Sequence, residues 1–211
     1  MFYLINMAEI ALIWMSAGNS YFNEETIGKL LKFADKRFSK IIVLSPDKPA
    51  EHTFKALGYP ENKARRKAKL NANLLINRAK RELEKIKNKD KFLFVDWESN
   101  VAKNLEYKTR YKEIIALYKA NATFRQDARE TTKKIIEEKA SEILDIEKSI
   151  DESVLYLLEE ISFVLSCPAI YRVSKVTYLY HQQWKIYENF IAGKYDGKKR
   201  SNFSFVLTGI D

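Results

Sequence analysis

Three short apolar runs, Ile10–Met15 (IALIWM), Lys40–Ser45 (KIIVLS) and Lys91–Trp97 (KFLFVDW), constrain this chain more than any other feature. Each has the length of a strand and lacks polar alternation through its centre; the first two read as strands of the buried type and the third as a further strand. Between them the spacing turns helical. Glu24–Phe38 sets Ile27, Leu30, Leu31 and Phe33 at helical intervals with lysines between, and a long polar helix is expected from Asn62 to Asn88. The second strand is closed by Pro46-Asp47, and His52–Pro60 reads as a loop or short helix ending in Gly58-Tyr59-Pro60. Val101–Ile150 reads as helical throughout, without Pro or Gly, and Ser153–Ser166 as a nearly all-apolar helix. Lys175–Tyr180 is a further strand, Gln183–Ala192 a helix and Phe203–Leu207 a last edge strand. Strands alternating with helices predict a mostly parallel sheet with helices on both faces. No repeat or linker divides the chain, so residues 1–211 are expected to form one α/β domain.

The first apolar run stops abruptly at Ser16-Ala17-Gly18-Asn19, a cluster of turn formers, and a helix follows from about Glu24. Strand, tight turn and helix set a polar side chain at the carboxyl end of a sheet, where open α/β folds keep their ligand sites. Ser16 is therefore placed as a nucleophile would be, although a serine that merely begins a turn fits the same residues.

Whole-chain properties narrow the classes. A net charge of +9 and an isoelectric point near 9.4 point to a polyanionic partner, nucleic acid or an acidic membrane surface. The single cysteine, Cys167, excludes an internal disulfide framework and fits a reducing cytoplasm. Besides it only His52 and His181 are available, so no zinc-ligand spacing exists and no metal is expected. The first residues are apolar but lack a basic leader and are broken by Asn6 and Glu9, which argues against a signal peptide. No uncharged run reaches the roughly 20 residues of a membrane span. A basic, intracellular domain is expected.

Three stretches carry chemistry. On the helix from Asn62, the cations Lys63, Arg65, Arg66, Lys67, Lys69, Arg78, Lys80 and Arg81 face few acids, while Leu70, Leu74, Leu75 and the alanines are expected to seat it on the sheet. Such a ridge can bind phosphates and release counterions. The run VLYLLEEISFVL should be buried, yet it carries Glu159 and Glu160, at least one of which is expected at the surface. Tyr156 and Glu160 are four apart and share a helix face. A carboxyl buried beside a tyrosine is pushed to a higher pKa, which suits a general acid or base. Finally, Tyr178, Tyr180 and His181 end the late strand on the rim where Ser16 should sit, with both tyrosines on one face. His181 is the one histidine that could serve Ser16 as a base, with no third triad member to name. His52, beside Glu51, reads as solvated, and Cys167 as a small core residue.

Taken together, these stretches resemble the tRNA-dependent cyclodipeptide synthases. The shared elements are the strand running into Ser16-Ala17-Gly18-Asn19-Ser20-Tyr21-Phe22, the basic helix, Val95-Asp96-Trp97, the Tyr156-x-x-x-Glu160 helix, and the aromatic strand end at Tyr180. Their order and approximate separations agree over most of the chain. The resemblance implies a Rossmann-like domain similar to the catalytic domain of class I tyrosyl and tryptophanyl tRNA ligases. It implies two aminoacyl-tRNAs as substrates and a ping-pong reaction, in which an aminoacyl-serine leads to a dipeptidyl-enzyme that closes to a diketopiperazine. Ser16 would be the nucleophile, Tyr156 and Glu160 would hold the amino group, and Glu160 would relay protons. Asn19 and Tyr180 would shape the site, and the basic helix would hold the first tRNA. Trp14, Tyr107 (with Tyr111 as alternative), Tyr178 and His181 would contact substrate. Two positions depart from the pattern: Trp14 stands where glycine is usual and is expected to reach the first amino-acid pocket, and Ala17 stands where proline is usual. No cofactor is implied; a monomer is expected, with room for a separate diketopiperazine-tailoring enzyme downstream. Two other enzyme classes fit poorly. A tRNA ligase fragment would carry HxGH, and a serine hydrolase G-x-S-x-G, whose first glycine is replaced by Trp14. A non-catalytic RNA-binding module built on the basic helix is the rival reading.

Overall fold

The computed structural model describes residues 9–139, 145–182 and 184–209. The expectation for the first eight residues, the middle of the 101–150 helix and Gln183 lie outside them. Five strands form one sheet: β1 Glu9–Trp14, β2 Ile41–Leu44, β3 Phe92–Val95, β4 Lys175–Tyr180 and β5 Phe203–Leu207. Their order is β3-β2-β1-β4-β5, and every neighbouring pair is parallel. The described helices are α1 Glu24–Asp35, α2 Asp47–Ala56, α3 Glu61–Leu83, α4 Leu105–Ala120, α5 Ala122–Lys139, α6 Ile146–Tyr171 and α7 Lys185–Ile191. This is the doubly wound α/β arrangement the alternating runs predict.

The register fixes the two faces. Leu12 pairs with Ile42 and with Tyr178, so Leu12, Tyr178 and, two residues on, Trp14 and Tyr180 share one face. Helix α6 covers that face, since Trp14 meets its Tyr156 and Phe163. The strand order reverses direction at β1, and right-handed crossovers then put α1 and α3 on the opposite face. There the fit is tight: a Cβ on Gly28 of α1 would lie 2.6 Å from the Glu82 carboxylate of α3. With helices on both sides, Ile10–Met15 are almost wholly removed from water.

Several boundaries differ from expectation, each for a local reason. Of the two alternatives for His52–Pro60 the helix holds, but it starts earlier and ends sooner, as α2 from Asp47 to Ala56, because Asp47 favours the amino-terminal turn and Pro49 is tolerated within it. The long helical stretch breaks at Asn121, whose side chain accepts the Phe124 N–H (2.8 Å) and so starts α5. Helix α6 begins earlier and ends later than Ser153–Ser166, with the Asp145 side chain capping it through the Lys148 N–H (3.1 Å). It is long and apolar enough to cross a membrane, but most of it is buried inside the protein. On α3 the seating residues are Ala64, Ala68, Ala72, Leu75 and Ala79, whereas Leu70 (68 % exposed) and Leu74 (46 %) point outward. Alanine lets this helix approach closely, and the two leucines fall on the other side of its 3.6-residue turn.

A buried carboxylate ties the last elements together. Asp127 of α5 accepts from Lys185 (3.0 Å) and Asn189 (2.9 Å) of α7 and from the Tyr195 hydroxyl (2.6 Å). Burial alone would raise its pKa, but these donors hold it below the usual carboxylate range. Asp127→Ala is expected to lower stability by about 2–3 kcal/mol, because it strands buried donors. Urea unfolding should show the loss as a lower midpoint with an unchanged slope.

Candidate active site

The site forms where β1 gives way to its turn. The Met15 N–H donates to the Leu44 carbonyl (2.8 Å), and the Ser45 hydroxyl donates to the Met15 carbonyl (2.9 Å), so the backbone entering Ser16 is pinned. The Asn19 N–H closes a turn on the Ser16 carbonyl (3.1 Å), with Gly18 at φ +81°, a conformation glycine adopts without strain. The Asn19 side chain in turn accepts the Tyr21 N–H (3.0 Å), and Asn23 caps α1 through the Thr26 N–H (2.9 Å). Below the turn, Ala17 packs with Ala50 and Phe54 of α2 and Ala64 and Ala68 of α3.

Around Ser16 the predicted residues converge. The Tyr156 hydroxyl donates to Ser16 Oγ (3.1 Å) and accepts from Trp14 Nε1 (2.7 Å). Asn19 Nδ2 reaches the Tyr180 hydroxyl at 3.4 Å, and Ser16 lies against the same hydroxyl. Glu160, 8 % exposed, accepts from the hydroxyls of Tyr178 (3.0 Å) and Tyr187 (2.8 Å). Burial pushes its carboxyl up to about 7, against the lowering effect of the Tyr187, Tyr178 and Tyr156 hydroxyls. Ser16, Asn19, Tyr156, Glu160, Tyr180 and His181 line a cavity of about 710 Å³. Residues of α5 and α7 line it as well, among them Asp127, Lys134 and Lys185.

Other expectations are corrected. Trp14 and Tyr178 do not reach the cavity: both are fully buried and stand behind residues that do. Tyr107 lies on the side of α6 that carries Glu159, edge-on to Trp97 (5.2 Å) and parallel to Tyr111 (6.0 Å), and neither tyrosine lines the cavity. Glu159 is not at the surface as a free carboxylate; one oxygen is shielded without a partner, and burial pushes its pKa to about 7. His181 stacks on Tyr21 (3.6 Å, 16°), its Nδ1 has no hydrogen-bond partner, and burial lowers its pKa, so it is not arranged as the base of a serine triad. His52 is engaged with Glu152 (2.8 Å) rather than solvated. Tyr187 was not foreseen: it sits on α7, and only the folded chain brings it under α6.

The basic helix divides by what its charges touch. Arg81 pairs with Glu24 (3.0 Å), Arg65 with Glu51 and Glu61 (both 3.4 Å), and Arg78 donates to the Phe22 carbonyl (3.2 Å). Lys67 lies over the Tyr59 ring (4.4 Å) and Lys80 over that of Phe94 (5.7 Å). Lys63, Arg66 and Lys69 are exposed and have no ionic partner among the described residues. Among those residues no three His, Cys, Asp or Glu side chains are grouped to hold a metal ion.

Comparison with known proteins gives the family and the fold. A cyclo(L-leucyl-L-leucyl) synthase of Bacillus subtilis is 26 % identical over 203 residues, covering 93 % of this chain and 76 % of that protein. The structure of a cyclodipeptide synthase from Staphylococcus haemolyticus superposes with a TM-score of 0.82 at 19 % identity, over 95 % of this chain and 90 % of that one. A Mycobacterium tuberculosis protein described as relating cyclodipeptide synthetases to type I tRNA synthetases gives 0.76 at 21 % identity, over 94 % and 84 %. A Candidatus Glomeribacter gigasporarum cyclodipeptide synthase bound to Phe-tRNAPhe gives 0.66 at 15 %, over 99 % and 91 %. The family model for cyclodipeptide synthase matches residues 3–208, nearly the whole sequence. The chain belongs to the cyclodipeptide synthase family.

Proposed function

We propose that this chain joins two aminoacyl groups, delivered by two aminoacyl-tRNAs in the cytoplasm, into a cyclic dipeptide through an aminoacyl-serine at Ser16. The observation that carries the reading is the pairing, in one cavity, of Ser16 held by Tyr156 with a buried Glu160 whose carboxyl is pushed up to about 7. In the first step Ser16 Oγ attacks the ester carbonyl of a charged tRNA. The Oγ–C bond forms, the bond to the terminal ribose oxygen breaks, and the serine proton ends on that oxygen. One ester replaces another, so the energy of the original acyl bond is kept.

In the second step the amine of the seryl-bound residue attacks the ester of the second aminoacyl-tRNA. A peptide bond forms and the second tRNA leaves. The free amine of the dipeptidyl-enzyme then attacks the seryl ester, closing a six-membered ring and freeing Oγ, a step favoured by intramolecular proximity. Each amine must shed a proton before or as it attacks. Tyr156 and Glu160 hold that amine, and a carboxyl near 7 is matched to accept its proton and pass it on. Asn19 and Tyr180 shape the pocket beside Oγ. The unpaired cations Lys63, Arg66 and Lys69 hold phosphates of the first tRNA, a reading supported by the relative with Phe-tRNAPhe bound.

Three outcomes are expected. Wild type incubated with aminoacyl-tRNAs gives a diketopiperazine and an aminoacyl adduct on Ser16 by mass spectrometry. Ser16→Ala gives neither, and Glu160→Gln keeps the adduct but loses most product. Binding of tRNA with no adduct and no product on wild type would instead favour the non-catalytic RNA-binding module.

The rate at which preformed adduct becomes product should depend on pH. A raised carboxyl pKa keeps Glu160 protonated below about 7, so the rate falls as pH drops through that value. The same step should be lost in Glu160→Gln but kept in Glu159→Gln, whose carboxyl lies outside the cavity. Lastly, replacing Lys63, Arg66 and Lys69 with alanine should flatten the dependence of log K on log salt for tRNA by roughly 0.7–0.9 for each cation removed. Filter binding at several salt concentrations measures that slope.

A further inference from the structure

We propose that Trp14 is a positioning residue that acts on Ser16 through Tyr156, by fixing the direction in which the Tyr156 hydroxyl points its proton. The inference rests on the reading of Ser16 as nucleophile. An indole N–H can only donate. Trp14 Nε1 lies 2.7 Å from the Tyr156 hydroxyl, so the phenol oxygen is the acceptor there. A phenol delocalises one lone pair into its ring and accepts one hydrogen bond well. Its single proton is then left for a second partner, and Ser16 Oγ stands 3.1 Å away. The chain of donation runs from indole to phenol to serine.

That direction has a competitor. Glu160 is the other acceptor within hydrogen-bonding reach of the Tyr156 hydroxyl, which acts to lower the Glu160 carboxyl's pKa. Without the indole N–H, the phenol's acceptor position is open to the Ser16 proton and its own proton is left to Glu160, reversing the chain; the indole bond fills that position, and the Tyr156 hydroxyl donates to Ser16 Oγ. With it, Ser16 Oγ receives a hydrogen bond, and its own proton is turned toward the side where Tyr180, Asn19 and the incoming ester lie. A hydrogen bond accepted by a hydroxyl also makes it a stronger donor, an effect that counts most away from water. Trp14 is fully buried, edge-on to Trp97 (5.9 Å) and tilted over Phe163 (5.8 Å), so its N–H is held on one line. The strengthened Tyr156 bond supports the charge that gathers on Oγ as the serine proton departs. An aliphatic side chain could fill the same space but could not supply the donor.

The test is a double-mutant cycle on single-turnover acylation of Ser16 at saturating aminoacyl-tRNA. Trp14→Phe keeps an aromatic ring and removes the N–H. Acylation is expected to slow roughly three- to tenfold, as for one neutral hydrogen bond, with half-saturation unchanged. In a Tyr156→Phe background the same change should have no further effect. Equal slowing in both backgrounds, or none in either, would overturn the proposal. Should Trp14→Phe fold poorly, the indole N–H signal of Trp14 in the 15N-labelled wild-type protein gives a second readout. That signal is expected to shift strongly on Tyr156→Phe, and an unmoved signal also sinks the proposal. If wild type forms no Ser16 adduct at all, the nucleophile reading fails and this role with it, whereas an adduct with additive effects removes only the role of Trp14.

Discussion

The structure depends on one constraint: β1 is paired in parallel on both edges, with β2 on one side and β4 on the other. A strand so placed, with helices over both faces, can carry no charge along its centre, and Ile10–Met15 carries none. The two crossovers leaving this strand pair run in opposite directions across the sheet, so the chain parts at the carboxyl ends of β1 and β4. Ser16 leaves β1 at that point, Ser45 leaves β2 beside it, and Tyr180 closes β4. The residues of the candidate site are near one another because the strand order reverses there.

Burial of Glu160 is the costly part of this arrangement. A lone carboxylate in that position would be strongly disfavoured, and two tyrosine hydroxyls that donate to it recover part of the lost hydration. Both come from elements that follow α6 in the chain, Tyr178 on β4 and Tyr187 on α7. Asp127 anchors α7 in turn, holding both Lys185 and Asn189. A polar cluster centred on Asp127 therefore supports the helix that supplies a partner to the acid. The remaining cost shows as a carboxyl that is half protonated near neutral pH, a property useful to a proton carrier and unfavourable for stability alone.

The sequence carried the strands and their class plainly, because apolar runs such as KIIVLS have one good home. Ser16, Asn19, Tyr156, Glu160 and Tyr180 were legible for two different reasons. Spacing put Tyr156 and Glu160 on one helix face, and turn chemistry put Ser16 at a sheet end, but only the family resemblance joined them. What stayed hidden depends on tertiary contact. Leu70 and Leu74 looked like part of a seating stripe of which only Leu75 and the alanines are buried, since residue type shows apolarity but not which helix face is covered. Trp14 looked like a pocket residue, yet strand register turns it inward under Tyr156. Tyr187 carries no local signal at all.

Helix α6 has a consequence for how the chain is made. Its partner strands β4 and β5 and helix α7 all follow it, so during synthesis a long apolar segment emerges before the surfaces that will cover it exist. Until then β1 also has one bare edge, because its neighbour β4 lies more than 160 residues downstream. Parallel sheets with such distant pairings close late and slowly. The nascent protein therefore passes through a stage in which its most oily helix and an open strand edge are both exposed, prone to clumping or to holding by chaperones. The acidic residues along α6, from Glu147 and Asp151 to Glu159 and Glu160, interrupt that oiliness. The carboxyl proposed to move protons in the finished site would thus first help keep the unfinished chain in solution.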